Sequence, residues 1–500
     1  MSVGATVDVV ANVRIGGEGR DLLAHPDAER DGLFDLWITD GRVADIAPAG
    51  NLRRRGTVLD AEGAWAIPGL RDHHVHALQA ALFQDRTSLA RATGAADALR
   101  VAAAAVPEAD GRRVLVGMRH AFWDDAPSLA RLDDATGETP TYLVNGDLHS
   151  VWMNSAAFAL EGIATDPSGL VREQAAFDVC DALHDVDAAV ADGALERMAV
   201  RAAARGVVGI SDLEMGWQTD AWRRRADAGW NLLRVAFSVY PRYLARAIAQ
   251  GLETGDALDG AGLVTVGAAK IVSDGSLGTR TAATGAPYRG GGRGAMNLRR
   301  DEIVETITRA AGAGIASTVH AIGDVAVTAA LDAFALAEVP GRIEHAQLVA
   351  ASDVPRFARL GVEASVQPQH ALDDRELTDS LWAGQTATPY PLRSLGDAGA
   401  NLLFGSDAPV SQLDPWVQIA AAVARTDDGR AAWQPEQAVD ARTALAASTA
   451  GGSAHPHVIE PGAIADLAII ATDPLTATPD QLRAMSVHAT LLAGRTTHLA

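Results

Sequence analysis

The sequence has a single cysteine, few aromatic residues and no excess of positive charge. One cysteine, Cys180, excludes an internal disulfide and fits a reducing compartment. Asp178 and Asp181 lie close to it in sequence and disfavour its thiolate form, which weighs against a cysteine nucleophile. The formal net charge of −21 and the pI near 5.0 argue against a polyanionic partner, so we expect no binding to nucleic acid. The two arginine runs, 53–55 and 223–225, are interpreted as solvated faces.

The beginning of the chain lacks the long apolar run of a signal peptide or membrane span. Residues Val7–Val13 interrupt their apolar side chains with polar ones, so we expect a cytoplasmic protein without a membrane partner. The chain is long and rich in apolar residues: 500 residues with 48% hydrophobic content can bury a large core. That length permits one barrel of about 250 to 400 residues together with a small second domain.

Both ends of the chain have the pattern of short strands separated by glycine and aspartate turns. Each terminal segment is too short to form a core alone, so we predict that residues 1–65 and 455–500 pair into one composite β domain. The predicted strands are Val7–Val13, Leu33–Trp37, Val43–Ile46, Val58–Asp60, Asp466–Ile470 and Ala489–Arg495.

The middle of the chain, residues 66–454, alternates short apolar strands with helical stretches. This alternation is typical of βα units and a parallel sheet. Counting the strand before His74, the pattern predicts eight strands, which is what a closed (β/α)8 barrel of the α/β class needs. The segment from about 77 to 186 is too long for one crossover, and we interpret it as an insertion folded over the barrel mouth.

The segment Ile67–His76 begins apolar and ends with several histidines. On a strand, His74 and His76 point to the same face and can bind one metal ion, whereas on a helix the same spacing would separate them. The alternative is a surface loop with several histidines, because His-x-His pairs also arise by chance.

Six potential metal ligands fall at or near the carboxyl ends of the predicted strands, where barrel active sites form. Each one alone has a structural explanation: a core histidine, a helix cap, or a lysine that extends to solvent. Together they would place several polar groups in strands buried on both faces, at a substantial desolvation cost. The six are His74, His76, Lys270, His320, His345 and Asp407.

The motifs around these residues resemble the amidohydrolase superfamily. Within it, they are similar to the amidohydrolase 3 branch, which includes YtcJ-like proteins and N-substituted formamide deformylase. The resemblance spans nearly the whole chain. It is carried by the segments Asp72–His76, Lys270–Gly278, Val319–Asp324, Arg342–Ala346 and Phe404–Pro409, with support from Asp147–Ser155 and Glu460–Leu467.

The resemblance implies a (β/α)8 barrel, a β-sandwich-like domain made from both termini, and two divalent metal ions. His74 and His76 match the positions that hold the first ion, and His320 and His345 match those that hold the second. Asp407 matches the position at the first ion that also acts as the general base, and Lys270 matches the bridging, carboxylated lysine. Zinc is the default for this thiolate-free ligand set, which also suits manganese, iron and nickel.

The predicted activity is cleavage of an amide-type C–N bond in a small-molecule substrate. A deaminase of the same superfamily usually carries His-x-x-Glu after the fifth strand, whereas His320 is followed by Ala321, Ile322 and Gly323. A non-catalytic scaffold of the same fold would be expected to lack some ligands. The sequence leaves substrate identity and a homo-oligomer open.

Several further residues lie in segments that we expect to reach the barrel mouth. His73 has no predicted role at the metal centre, because its side chain should point away from the rim; we assign it a structural role. The candidates for substrate contact are His149, Trp152, Asn154, Arg280 and His370.

Overall fold

A computed structural model describes residues 1–15, 32–146 and 148–500 of the protein. Part of the predicted terminal segment 1–65 therefore lies outside the described residues, as does Asp147 in the predicted motif Asp147–Ser155. Contacts between Cα atoms divide the chain into two compact units. One comprises Met1–Ala77 with Glu196–Ala500, and the other is Leu78–Leu195.

Eight parallel strands form the barrel of the first unit, and they follow one another around the sheet in chain order. A parallel bridge between Val75 and Ala408 brings the two ends of this sheet together. The predicted (β/α)8 barrel is confirmed. The barrel strands, first to eighth, are Leu70–Val75, Val207–Asp212, Arg234–Val239, Val264–Val272, Ser317–Ala321, Gly341–His345, Val362–Val366 and Leu402–Phe404.

Helices follow most of these strands and bury an apolar face against the sheet. Asp324–Ala337, for example, buries Leu331 and Phe334 in the same core as Ile343 of the sixth strand. Burying an apolar side chain of this size contributes about 1.5 to 3 kcal/mol. The other helices of this unit are Gln218–Asp227, Pro241–Ala249, Arg300–Ala311, Val354–Leu360, Pro368–Asp373, Arg375–Leu381, Leu392–Asp397, Pro415–Ala424, Ala441–Ala447 and Pro479–Arg483; Ala77–Asp85 and Ala188–Ala203 cross its boundaries.

The two chain termini share one eight-stranded sheet, as predicted. Trp65–Pro68 is the link, because it pairs in parallel with Val9–Ile15 and antiparallel with Leu467–Ile470. The remaining strands of this sheet are Phe34–Thr39, Arg42–Pro48, Val58–Asp60, Val487–Leu492 and Arg495–Leu499. Its core contains side chains from both ends, so neither segment has to bury a core alone.

In its described residues, 78–146 and 148–195, the second unit is built on a five-stranded sheet and four helices of its own. The buried Cys180 packs in its apolar core beside Tyr142 and Phe158. The strands are Thr87–Ser88, Arg113–Met118, Thr141–Asn145, Ser150–Met153 and Leu170–Arg172. The helices within it are Ala95–Ala104, Leu129–Thr136, Ser155–Glu161 and Gln174–His184, and His120–Phe122 forms a 3-10 turn.

Each of the two arginine runs contains at least one side chain that is not a freely solvated charge. Arg54 donates to the buried carboxylate of Asp35, and Arg225 is buried with its guanidinium 4.7 Å from the ring centre of Trp222. The interpretation of both runs as solvated faces was therefore wrong at these positions. The expectation that the chain binds no nucleic acid stays a prediction. Among the described residues, every helix is too short or too polar to cross a membrane.

Asp35 fixes the N-terminal part of the terminal sheet. Its carboxylate accepts hydrogen bonds from Arg54 at 2.8 and 2.9 Å and from the backbone N–H groups of Asn12 and Gly50. Burial raises the pKa of Asp35, but the hydrogen bonds from Arg54, Asn12 and Gly50 outweigh it and hold the pKa below 3.8. The ionised Asp35 carboxylate therefore stabilises the fold fully at pH values above the pKa that Asp35 has in the unfolded chain. This stabilisation is lost as the pH falls through the lower pKa that Asp35 has in the folded protein.

We expect Asp35→Asn to lower the free energy of unfolding at pH 7 by about 1 to 3 kcal/mol, because buried donors lose a charged acceptor. The difference from the wild type should stay constant down to about pH 4 and narrow only at more acid pH. Urea unfolding measured from pH 7 to pH 3 tests both statements. Asp45→Asn, at an exposed position of the same sheet, is the matched control. Equal stability of Asp35→Asn and the wild type at pH 7 would contradict this assignment.

Candidate metal centre

His74 and His76 converge on Asp407 at the carboxyl end of the first barrel strand. The Nε2 atoms of His74 and His76 lie 3.2 and 3.5 Å from Asp407 Oδ1. The backbone holds this arrangement, because the N–H of Asp407 donates to the carbonyl of His74 over 2.8 Å. Gly405 is required here: a Cβ at this position would lie 2.6 Å from the Cβ of His74. The loop after the eighth strand is thus fastened to the first strand.

Glu344, from the sixth strand, contacts His74 from the side opposite Asp407. The Nδ1 of His74 lies 2.8 Å from Glu344 Oε2, and Thr318 donates its hydroxyl to Glu344 Oε1 over 2.6 Å. His74 and Glu344 are fully buried. A carboxylate at Nδ1 keeps the proton on that nitrogen and leaves the Nε2 lone pair for a ligand.

Two buried carboxylates therefore flank one imidazole. Burial lowers the pKa of His74, but the charges of Asp407 and Glu344 outweigh burial and raise it. Burial likewise raises the pKa of Asp407 and that of Glu344, whereas the adjacent His74 lowers both well below their usual range. The site thus stabilises positive charge between these groups.

His320 and His345 lie beside this pair, at the ends of the fifth and sixth strands. Their ring centres are 4.5 Å apart, and that of His345 is 4.8 Å from the ring centre of His74. Burial, with the charge of Lys270 adding to it, lowers the pKa of His320 to about 3. Burial also holds the pKa of His345 well below its usual range. Both pKa shifts favour the neutral imidazole, which is the form that binds a metal.

Lys270, on the fourth strand, is 2% exposed, and its Nζ has no hydrogen-bond partner among the described residues. Burial lowers its pKa, and the charges of Glu344 and Asp407 oppose that change. It is the only lysine in the 500 residues. A buried amine without a hydrogen bond is costly, so this position calls for a partner that the side chains around it do not provide.

Two further buried aspartates hold the loops of the rim. Asp72 accepts hydrogen bonds from the backbone N–H groups of His74 and Ser406, which links the first strand to the loop after the eighth. Asp274 accepts from the backbone N–H groups of Ala283, Ile322 and Gly323. Burial raises the pKa of Asp72 to about 6 and that of Asp274 to about 7.

The sequence profile of the amidohydrolase family matches residues 57–498, which is most of the chain. The chain belongs to the amidohydrolase family. The predicted resemblance is thereby confirmed, and the protein is a hydrolase of this family. All six predicted ligand positions of this amidohydrolase lie within the matched range: on the first, fourth, fifth and sixth strands, directly after the first strand for His76, and after the eighth strand for Asp407.

The chain is also similar to two relatives and to one solved structure. The chain is 27% identical over 490 residues to Protein LONG AFTER FAR-RED 3 of Arabidopsis thaliana, covering 88% of this chain and 84% of the relative. It is 25% identical over 530 residues to N-substituted formamide deformylase of Arthrobacter pascens, covering 94% and 95%. An uncharacterized metal-dependent hydrolase from Pyrococcus horikoshii has a TM-score of 0.81 at 22% identity, covering 94% of this chain and 99% of the other, and shows the shared fold.

The side chains of this amidohydrolase fit a divalent metal ion. Ligand atoms of His74, His76 and Asp407 all lie within 4.8 Å of one another. The lone pairs of two imidazole nitrogens and one carboxylate oxygen point into the same small space. A cation in that space would remove the repulsion between these lone pairs. This nitrogen and oxygen ligand set without thiolate suits zinc and other first-row metals.

Other predicted residues are not part of this group. His73 instead contacts the backbone carbonyl of Thr449 through Nε2 at 2.8 Å, in agreement with a structural role. Arg280 is exposed and has a left-handed backbone, with φ of 59°. Its predicted contact with substrate stays a prediction.

Three of the predicted substrate contacts, His149, Trp152 and Asn154, lie in the unit Leu78–Leu195. Asn154 is buried and caps the helix Ser155–Glu161, accepting from the backbone N–H of Ala157. Trp152 is fully buried, and the ring of His149 packs 4.8 Å from that of Phe177. These contacts give the three residues structural roles within their unit, and contact with substrate stays a prediction.

Sequence reasoning missed Glu344 and Gln367, which contact the histidines of the site. Gln367 accepts a hydrogen bond at Oε1 from His345 Nδ1 over 3.0 Å, and its Nε2 lies 3.3 Å from His74 Nδ1. The sequence did contain a signal for Glu344, because it is a charged residue inside a predicted barrel strand, and such strands are buried on both faces. Such a residue requires a buried partner.

We expect Glu344→Gln to weaken metal binding by ten- to a hundredfold, because an amide holds the tautomer of His74 less firmly than a carboxylate does. Competition with a chromogenic chelator measures the dissociation constant. Glu363→Gln makes the same chemical change on the seventh strand, where the carboxylate pairs with Arg342 instead, and should leave affinity unchanged. Equal affinities of Glu344→Gln and Glu363→Gln would show that Glu344 does not act on the metal site.

Proposed function

We propose that the protein is a metal-dependent hydrolase that cleaves an amide-type C–N bond of a small molecule. The observation that carries this proposal is the convergence of His74, His76 and Asp407 on one rim of the barrel. By position, the proposed ligands of a first ion are His74, His76 and Asp407, and those of a second are His320 and His345. Zinc is the expected metal, and manganese, iron or nickel would suit the same donors.

Bound divalent ions would supply a Lewis acid for the substrate carbonyl and lower the pKa of water toward neutrality. The chain's own residues provide the proton transfers. We assign Asp407 as general base, because its low pKa keeps it ionised at neutral pH and it lies beside His74 and His76. It takes a proton from the attacking water and delivers it to the leaving nitrogen, since an amine leaves poorly unless it is protonated.

An amide of moderate size is the proposed substrate class. A relative is named for its action on N-substituted formamides, and these compounds are the first substrates to test. A panel of N-substituted formamides, other secondary amides and aminated heterocycles separates the alternatives. Release of an amine and a carboxylate supports amide hydrolysis, and release of ammonia from a heterocycle supports deamination. No turnover of any kind by metal-loaded protein would favour a non-catalytic scaffold.

Replacing Asp407 by asparagine tests the assigned base. Because general acid–base catalysis contributes roughly 10² to 10⁴ in rate, we expect Asp407→Asn to lower kcat by at least a hundredfold on an amide that the wild type hydrolyses. The measurement is kcat at saturating substrate, with metal content determined on the same samples. Asp397→Asn, at a side chain that is 72% exposed, is the matched control and should keep the wild-type kcat. A folded, metal-loaded Asp407→Asn enzyme with near-normal kcat would refute the role.

We also propose that Lys270 is carboxylated. A carbamate would supply one oxygen to each ion, whereas an ammonium would be repelled by them. The alternative is a plain amine paired with a carboxylate such as Asp274, but the carboxylates that act on the Lys270 charge are Glu344 and Asp407. Asp274 instead accepts three backbone hydrogen bonds.

The single lysine makes this modification easy to detect. We expect protein loaded with metal in ¹³C-labelled bicarbonate to show one side-chain carbamate signal that is absent from Lys270→Ala. Acetate should restore part of the metal content and activity of Lys270→Ala, because it returns a carboxylate to the vacated space. Full metal content and activity of Lys270→Ala without acetate would leave carboxylation without a role.

A further inference from the structure

Arg425 is a cationic side chain that the fold buries almost completely. It directly follows the helix Pro415–Ala424 and is 1% exposed. Burial lowers its pKa to about 10, so the guanidinium still carries its positive charge at neutral pH. A charge in a protein interior is strongly unfavourable unless an opposite charge lies beside it. Arg425 therefore requires a counter-ion.

The contacts of the Arg425 side chain are with neutral groups. Its Nε donates to the backbone carbonyl of Trp433 over 3.2 Å, and its Nη2 donates to Gln434 Oε1 over 3.2 Å. Its Cζ also lies 5.5 Å from the ring centre of Trp433. These contacts use Nε and Nη2 and leave Nη1 for a further acceptor. The carboxyl end of the helix Pro415–Ala424 adds only a partial negative charge.

Two nearby acidic groups do not compensate the charge of Arg425. The groups whose charges would act on it are Tyr390 and Glu436, and among the described residues no carboxylate forms an ion pair with it. The hydroxyl of Tyr390 donates to Asp374 Oδ2 over 2.8 Å, and burial raises the pKa of Tyr390 well above its usual range, so the phenol is neutral. Glu436 is exposed, and water and salt screen its charge. The described side chains thus leave Arg425 without a buried counter-ion.

A cavity of about 20 Å³ lies beside Arg425. About 10 to 15 Å³ is enough for one water molecule, so this cavity can hold one particle of roughly that size. Arg425 is the only residue of its lining that is charged at neutral pH, because the neutral form of His345 is favoured. The walls are mostly apolar and come from Val366, Pro368, Ala371, Leu392 and Leu395.

We infer that this cavity binds one small monovalent anion, of the size of chloride, against the guanidinium of Arg425. An anion gains the full charge–charge attraction, which is strong where little water screens it, whereas a water molecule offers only a dipole. Its single charge matches that of Arg425, and sulfate or phosphate would exceed the space. The anion site does not depend on the proposed hydrolase function. The helix Pro368–Asp373, part of the wall, also carries His370, whose contact with substrate stays a prediction.

Crystals of the metal-loaded protein grown in sodium bromide test the position of the anion. Bromide is close to chloride in size, and its anomalous scattering distinguishes it from water. We expect one bromide ion in contact with a guanidinium nitrogen of Arg425, inside the cavity. A water molecule at this place without anomalous signal, or bromide bound to the metal ions alone, would overturn the inference.

Melting temperatures in sodium chloride and in sodium gluconate, at equal ionic strength, test the effect on stability. Gluconate is too large for the cavity, and equal ionic strength keeps the screening of surface charges the same. We expect chloride to raise the Tm of the wild type saturably, by about 1 to 3 °C, because a ligand that binds only the folded state stabilises it. Arg425→Gln should show no such rise. Arg393→Gln, at a side chain that is 56% exposed on the helix Leu392–Asp397, is the matched control and should respond like the wild type. The same chloride response in all three proteins would mean a general salt effect or binding elsewhere, and would contradict the inference.

A measurement on the wild type alone guards against misfolding of Arg425→Gln. The ³⁵Cl NMR line of chloride in solution broadens when the ion exchanges with a protein site. We expect wild-type protein to broaden this line, bromide to reverse the broadening, and gluconate to leave it unchanged. The broadening should persist after a chelator has removed bound metal, which separates the anion site from the proposed metal centre. No broadening, or broadening that disappears with the metal, would refute the anion site whether or not Arg425→Gln folds.

Discussion

Positive charge between two buried carboxylates is the interaction on which the site depends. Glu344 and Asp407 face His74 from its two nitrogens, at 2.8 and 3.2 Å. Neither carboxylate can stay ionised in a barrel core without a nearby proton or cation, because burial of an unpaired charge is strongly unfavourable. The neutral His320 and His345 do not supply that charge. The arrangement is therefore suited to a bound cation.

Closure of the barrel and assembly of the site use the same hydrogen bonds. The N–H of Asp407 donates to the carbonyl of His74, and the N–H of His76 donates to the carbonyl of Ala408. These bonds join the loop after the eighth strand to the first strand, so the carboxylate reaches the imidazoles only when the barrel is closed. The close approach also explains Gly405, where any side chain would collide with His74. The site therefore takes its geometry only when the eighth strand has docked beside the first.

The sequence was sufficient to predict the eight barrel strands, because each is a short apolar run bounded by turn residues and followed by a helical pattern. It was also sufficient for the composite terminal sheet, since neither terminal segment could bury a core alone. The first-strand histidines were accessible through strand periodicity, which places residues i and i+2 on one face. The strand signals are local, whereas the pairing of the two termini follows from the shortness of each terminal segment.

The missed residues depend on contacts between distant parts of the chain. Glu344 meets His74 across 270 positions, and Gln367 meets the same imidazole across 293. Periodicity within one segment carries no information about such pairs. Arg54 shows the same limit in the terminal sheet: the run 53–55 has the composition of a solvated face, but Arg54 reaches the buried Asp35, nineteen positions away.

Lys270 occupies a buried position where lysine and arginine, although both are cationic in water, are not chemically equivalent. Of the 42 lysine and arginine residues in the chain, this is the only lysine. Everywhere else arginine fills the cationic positions, which suits paired and surface charges because its guanidinium stays protonated and bonds carboxylates in two places. A guanidinium cannot readily give up its proton in a buried site, whereas an amine can, and burial lowers the pKa of Lys270 in that direction. The one lysine stands among buried carboxylates and imidazoles that suit a bound cation, and the proposed carboxylation requires an uncharged amine at this place. The chemistry of the rim therefore favours lysine over arginine at this position.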